Sequence, residues 1–353
     1  MARIPRPGPW TTVAAVVLLT VFAAIGLVVR NTRVPRAGSL ARVTIPAGAS
    51  LAAVADSLVA ARVIRSARVF TIVASITGRA AAPVLPGRYL VRRGMSGLAI
   101  LDQLHTGRNR VRRVLVPEGW GISQIARLLR DSLGADTAEF RAATRDSARR
   151  ARMATRAADV EGYLFPATYD FTDDVTASMA VDTMLTTFEQ RWKPAWDSVL
   201  SAQGRTRHDV VTLASIVEKE AGRDSDRPLI AAVYTNRLRA GMRLQADPTV
   251  VYGMGLASKR RVLFSDLRTE SAYNTYRVSG LPPGPIASPG TASIAAALVP
   301  AVSDALFFVA FPDGHSEFTR TFAQHSAAVK AARKARESAA QRTPLTRSAG
   351  APR

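Results

Sequence analysis

Residues Thr11–Val29, TTVAAVVLLTVFAAIGLVV, run for nineteen positions without a charge. At about 1.5 Å per residue such a helix spans about 28 Å, close to the hydrocarbon thickness of a bilayer. Trp10 stands at one edge, where an interfacial aromatic is expected. A cleaved secretory signal usually has a shorter apolar region and ends in a small-x-small site, whereas this run continues into RNTRVPR. The expectation is a retained single-pass anchor over 11–29, preceded by residues 1–10 and followed by a polar linker over 30–42. Arg3 and Arg6 precede the span, and Arg30, Arg33 and Arg36 follow it, so the flanking charges leave the orientation open.

The rest of the 353-residue chain is long enough for two or three compact units, and 47% apolar content supports a sizeable core. There is no cysteine, which excludes disulfides, thiolate metal sites and cysteine nucleophiles. The formal charge of +21 raises a nucleic-acid reading. Only five of the 48 basic residues are lysine in an alanine-rich chain, a bias that GC-rich coding produces by itself. No arginine stripe interleaves with aromatics, so nucleic acid is not expected as a partner. An anionic envelope polymer or a lipid surface would tolerate this charge.

Residues 43–65, VTIPAGASLAAVADSLVAARVIR, read as a strand, a Pro-Ala-Gly turn and an amphipathic helix capped by Ser50, with Leu51, Val54, Leu58 and Val59 on one face. A similar order returns at 113–130. Such modules resemble LysM-like peptidoglycan-binding units, and pattern alone leaves a generic α+β domain equally open over 43–130. Residues 131–160 read as an exposed helical connection. The texture then changes at EGYLFPATYDF, 161–171, which opens a second domain expected to run to 329. One long helix is expected over 175–202, with Met179, Met184, Leu185, Phe188 and Trp192 as core candidates. A Pro-Asp-Gly turn at 312–314 joins two aromatic-rich strands. The basic stretch 330–353 lacks a core pattern and is expected to be disordered.

The chemistry concentrates in HDVVTLASIVEKEAG, 208–222. On a helical wheel Val210, Leu213, Ile216 and Val217 form the apolar face, and Lys219 points to solvent. Glu218 lies by Ala214 and Ala221, and Glu220 lies nearer Leu213 and Ile216, about 200° away at about 100° per residue. The two acids are therefore not a dyad on one face. A carboxyl beside apolar neighbours is desolvated, its pKa rises, and it becomes suited to general acid work. Small neighbours make Glu218 the expected acid and Glu220 a structural group bonded to an arginine or tyrosine. The alternative is that both acids simply close salt bridges. The segments 233–253 and 271–290 are dense in amides, tyrosines and rigid Pro-Gly backbone, which suits a sugar polymer. His105, His208, His315 and His325 are scattered, with no metal-ligand spacing, and no Walker-A glycine order exists.

ASIVEKE, YTNRLRAGMRLQADPTVVYG, YNTYRVSGLPPGPIASPG and EGYLFPATY, in this order-specific set, closely resemble the MltG (YceG-like) endolytic murein transglycosylase family. The resemblance covers roughly 40–330. It implies an α+β protein with one N-terminal transmembrane helix, a LysM-like α/β module and a mixed α+β catalytic domain in the periplasm, the N-terminus being cytoplasmic at the inner membrane. It implies a lytic transglycosylase that cleaves the MurNAc–GlcNAc β-1,4 bond of peptidoglycan strands, without a cofactor or metal, and leaves 1,6-anhydro ends. Glu218 is the acid it implies. Asn236, Gln245, Asp247, Tyr273, Asn274 and Tyr276 are candidate substrate contacts, with Glu161 and Glu220 as structural support. Glycan strands and the membrane are the expected partners, and association with cell-wall synthesis proteins stays open. A non-catalytic peptidoglycan-binding scaffold and a hydrolase that uses water are the competing readings.

Overall fold

The computed structural model describes residues 39–108, 110–172, 175–256 and 262–342. The expected anchor at Thr11–Val29 lies outside them; among the described residues no helix is long and apolar enough to cross a membrane. The fold is mixed α+β and divides into two units, one of residues up to 113 plus 170–175, the other of 114–169 and 176 onward.

In the first unit, β1 (Leu40–Ile45) is followed by α1 (Leu51–Ala60) and α2 (Ala67–Ile76), and the chain returns as β2 (Gly87–Arg92). β1 and β2 pair antiparallel from Leu40↔Arg92 to Ile45↔Gly87. Period-two alternation turns Ala41, Val43 and Ile45 into the core, where they meet Val54 and Leu58 of α1. Ser50 caps α1 by accepting from the Ala53 amide at 3.2 Å. α3 (Gly97–Thr106) leads into β3 (Arg110–Leu115), and β4 (Thr168–Thr172) completes a sheet of order β1-β2-β3-β4. Arg42 and Arg113 hold the carboxylate of Asp170 at 2.9 and 3.0 Å. The Arg113 hydrogen bond keeps that carboxyl below its ordinary range.

The second unit begins with α4 (Ile122–Leu133), α5 (Thr137–Thr144) and α6 (Ser147–Arg152). Phe140 and Met153 are fully buried, so this stretch is a packed part of the unit rather than an exposed connection. The long helix expected over 175–202 is two helices, α7 (Ala177–Arg191) and α8 (Pro194–Gln203). Proline fixes its own φ and biases the residue before it away from helix, so α8 begins at Pro194 and the chain is extended at Trp192 and Lys193. Trp192 still packs inward, 5.8 Å from Phe188 and 5.1 Å from Trp196 between ring centroids. Met179, expected in the core, is 50% exposed in the first turn of α7.

α9 (Arg207–Glu220) is the centre of this unit, packed by α10 (Arg227–Arg239), α11 (Asp247–Gly253) and α12 (Thr291–Leu298). Every residue from Val210 to Val217 is buried, including Thr212 and Ser215. A helix covered on several sides has no single apolar stripe, which is why the wheel understated its burial. β5 (Phe307–Ala310) and β6 (Ser316–Thr319) form the expected hairpin around Gly314. α13 (Phe322–Arg342) follows and buries Ala328 and Ala332, so helix persists well past Lys330.

Candidate active site

α9 is stopped at Glu220, where Ala221 turns extended. Its last turn directs two carboxyl groups into different surroundings. Glu218 extends toward α10 and α12. Its Oε1 meets the Arg227 guanidinium at 3.1 Å, with side chains only 6% and 10% exposed, and its Oε2 accepts the Gly290 amide at 3.0 Å. Arg227 is further held by Asp224 and by the Ser293 hydroxyl. Glu118 completes this cluster. Burial raises its pKa, and the Glu218 charge adds to that. A Cβ on Gly290 would fall 1.9 Å from Glu118 Oε1, so a side chain there would displace this carboxyl from its present position.

Glu220 faces the opposite way and lines a cleft of about 930 Å³ within the second unit. Tyr234 of α10 donates its phenol to Glu220 Oε1 at 3.0 Å. Burial pushes the Glu220 carboxyl up to about 7, with Asp247 reinforcing the rise and the Tyr234 hydrogen bond opposing it. The cleft therefore holds a carboxyl that burial keeps protonated to higher pH than an ordinary glutamate. Lys219, between the two acids, also lines it and donates to the Gly119 carbonyl at 3.2 Å.

On the cleft wall Glu161 accepts the Ile122 amide at the start of α4 through both oxygens, at 3.0 and 3.1 Å. Burial, with Asp159 beside it, pushes Glu161 up to about 8. Tyr252 of α11 reaches Glu161 Oε2 at 3.5 Å and packs on Tyr273, with ring centroids 4.7 Å apart. Asp247 begins α11, is exposed to the cleft, and accepts the Tyr276 hydroxyl at 2.7 Å.

Of the residues singled out in the sequence, the cleft brings together Glu220, Glu161 and Asp247. Glu218 is not among its lining residues; it is bonded to Arg227 and the Gly290 amide, beside Gly119, which does line the cleft. Glu220 has the tyrosine partner expected of a structural group, yet it is the acid that meets the cleft. Asn236 donates to the Ser303 and Ala305 carbonyls. Asn274 is fully buried and donates to those of Leu267 and Thr269. Gln245 holds its backbone at φ 53°, its backbone N–H donates to the Thr275 carbonyl, and its side-chain oxygen accepts from Arg237 at 3.5 Å. Tyr273 packs on Tyr252 and Tyr276 donates to Asp247, and neither is among the cleft's lining residues. Asp159, Lys219 and Tyr252 also line the cleft, and nothing in the sequence pattern marks them. Tyr252 lies in a quoted motif, VVYG, but nothing local marks it as facing a cavity. Among the described residues no group of three or more acidic or histidine side chains could hold a metal.

The model of the YceG-like family matches residues 43–331. The chain belongs to the YceG-like family. A relative from Bacillus subtilis (strain 168), named endolytic murein transglycosylase, is 34% identical over 301 residues, covering 81% of this YceG-like chain and 83% of the relative. A Streptococcus pneumoniae (serotype 2, strain D39) protein of the same name is 28% identical over 80% of the chain, which spans 58% of that longer protein. A crystal structure of a yceG-like protein from Listeria monocytogenes matches with a TM-score of 0.58 and 32% identity, over 82% of this chain and 98% of that one.

Proposed function

We propose that this YceG-like chain is a lytic transglycosylase that cuts peptidoglycan strands endolytically, with Glu220 as acid and then base. The observation that carries this reading is the Glu220 carboxyl, placed on the cleft and raised to about 7 by burial. The names of the relatives supply the substrate class.

In the proposed step the protonated Glu220 gives its proton to the GlcNAc O4 as the MurNAc C1–O4 bond breaks. The resulting carboxylate takes the proton of the MurNAc C6 hydroxyl, whose oxygen bonds to C1. The products are a 1,6-anhydro-MurNAc end and a free GlcNAc 4-hydroxyl, and Glu220 is protonated again. One carboxyl serves both halves, and water is not consumed, unlike hydrolysis by the usual pair of acids. Tyr234 holds the Glu220 carboxyl in place. Asp247, Tyr252 and Glu161 are placed to receive sugar hydroxyl and acetamido groups. The alternative acid is Glu218, the one implied by the family resemblance, whose carboxyl is bonded to Arg227 and the Gly290 amide.

The apolar run Thr11–Val29 supports a single-pass anchor in the inner membrane, with the cytoplasmic end at residues 1–10 and the cleft in the periplasm. The strand-helix-helix-strand order of the first unit, with β1 antiparallel to β2, supports a LysM-like peptidoglycan-binding role. A native N-terminus beginning after residue 30 would remove the anchor from this reading.

Mass spectrometry of glycan strands digested by the wild-type and Glu220→Gln chains tests the function. Anhydro ends that form with wild type and fall by about 10²–10⁴-fold in a folded Glu220→Gln chain are expected. New reducing ends would make the chain a hydrolase, and no new ends would make it a binding scaffold.

A further inference from the structure

Three arginines from two helices face the same cleft without an acidic partner. Arg141 and Arg145 end α5, and Arg336 lies on α13. Among the described residues none of the three has a carboxylate within ion-pair distance; Arg336 donates only to the Ala310 carbonyl, at 2.7 Å. Several other helix-end arginines of this unit are paired, Arg149 with Asp182 at 2.7 Å, Arg152 with Glu189 at 2.5 Å and Arg207 with Asp197 at 3.2 Å, and Arg150, Arg191 and Arg239, which have no ion pair among the described residues, do not line the cleft. A helix C-terminus favours cations by itself, which accounts for charge at Arg141 and Arg145. It does not account for Arg336, which arrives from a different element, nor for all three reaching one cleft. Arg145 also acts at longer range on Asp159, whose pKa it draws down against the rise from burial.

Building on the murein reading above, we propose that Arg141, Arg145 and Arg336 form a cationic rim that binds free carboxylates of the peptides carried by the strand. The sugar backbone of such a strand is neutral. Its lactyl carboxyl is consumed in the amide that joins the peptide, so the negative charge nearest the cleft belongs to the peptide itself. Guanidinium groups are suited to this ligand because their fork of N–H donors matches a carboxylate. The rim therefore selects strands that still carry their peptides, and it acts on binding rather than on the proton transfer at Glu220.

The test measures binding of fluorescently labelled strands by anisotropy to the full-length Glu220→Gln chain in detergent, so that the strand is not cut. Three strands are compared: native peptide-bearing, the same with every carboxyl converted to its methylamide, and strands stripped of peptide, which expose the lactyl carboxylate. The native strand is expected to bind about threefold to tenfold more tightly than the methylamide, as a few exposed ion pairs allow, and the difference should shrink with added salt. Arg141→Gln/Arg145→Gln/Arg336→Gln should collapse that ratio toward one, while the triple lysine variant keeps most of it. Equal binding of native and methylamide strands by the parent chain overturns the proposal. So does an unchanged ratio in the glutamine variant, or stripped strands that bind as tightly as native ones, since the ligand would then be the lactyl group. Failure of the murein reading is seen separately, as the absence of anhydro ends when the wild-type chain digests the same native strands.

Discussion

Tyr234 and Glu220 are joined across two helices by one hydrogen bond, phenol to carboxyl at 3.0 Å, at the point where α9 ends. The bond favours the ionised carboxylate and so opposes the rise that burial imposes. Removing it should move the titration upward. Tyr234→Phe is expected to shift the alkaline limb of the pH–rate profile above its wild-type position near 7, because a protonated acid then survives to higher pH. A profile that stays in place, or moves to lower pH, would detach Glu220 from the rate.

Glu218→Gln should act on stability. It removes the charge from a pair whose side chains are nearly enclosed, leaving Arg227 with exposed Asp224, the buried Ser293 hydroxyl and the charge of nearby Glu118. Breaking a buried pair typically costs about 3–5 kcal/mol, and the remaining partners place this case at the lower end. Thermal melting of Glu218→Gln and Glu218→Gln/Arg227→Met checks it, the double variant being the more stable. If Glu218→Gln instead melts like wild type and makes no anhydro ends, the acid is Glu218.

Which acid lines the cleft was only half legible in the sequence. The wheel correctly separated Glu218 from Glu220, because helical spacing is a local property. It could not say which side is open, because that depends on α10, α11 and α12, which come from later in the chain. The long amide-rich and tyrosine-rich segments marked the right neighbourhood, yet most of their polar groups satisfy backbone carbonyls of irregular loops. Asn236 and Asn274 are of this kind. A loop without regular hydrogen bonding must find partners for its backbone, and side-chain amides supply them. The β1–α1 segment was read more closely, since alternation and the Ser50 cap are both local signals.

Glu161 makes folding depend on pH. Its folded pKa, about 8, lies above the value near 4.5 of an unperturbed glutamate, so the folded chain holds a proton that the unfolded chain releases between these values. The stabilisation is complete below about 4.5 and is lost as pH rises through about 8. Glu220 acts in the same direction up to about 7. Chemical denaturation at pH 6 and pH 9 should show a decline of a few kcal/mol, on the order of 2–4. Glu161→Gln should flatten most of it. An equal slope in the variant would place the proton elsewhere.

Asn274→Ala should weaken the fold rather than the encounter with substrate. The side chain is fully buried and holds the Leu267 and Thr269 carbonyls at 3.0 and 2.8 Å. Two stranded carbonyls correspond to about 1–3 kcal/mol. Denaturant titration and KM measured on the folded fraction separate the outcomes. A stable variant with a raised KM would return Asn274 to the binding surface.

The Glu218–Arg227 pair also bears on how this chain can be inherited. Neither charge can drift to a neutral residue alone without leaving its partner stranded between α9, α10 and α12. A lineage can leave this arrangement only by crossing a poorly folded intermediate or by changing both codons together. The middle residue of EKE, Lys219, is exposed and bound to a single carbonyl, and it is under no such constraint. Within three consecutive codons, then, one is tied to a distant charge, one presents a carboxyl to the cleft, and one, also at the cleft, carries a charge that no buried partner holds in place.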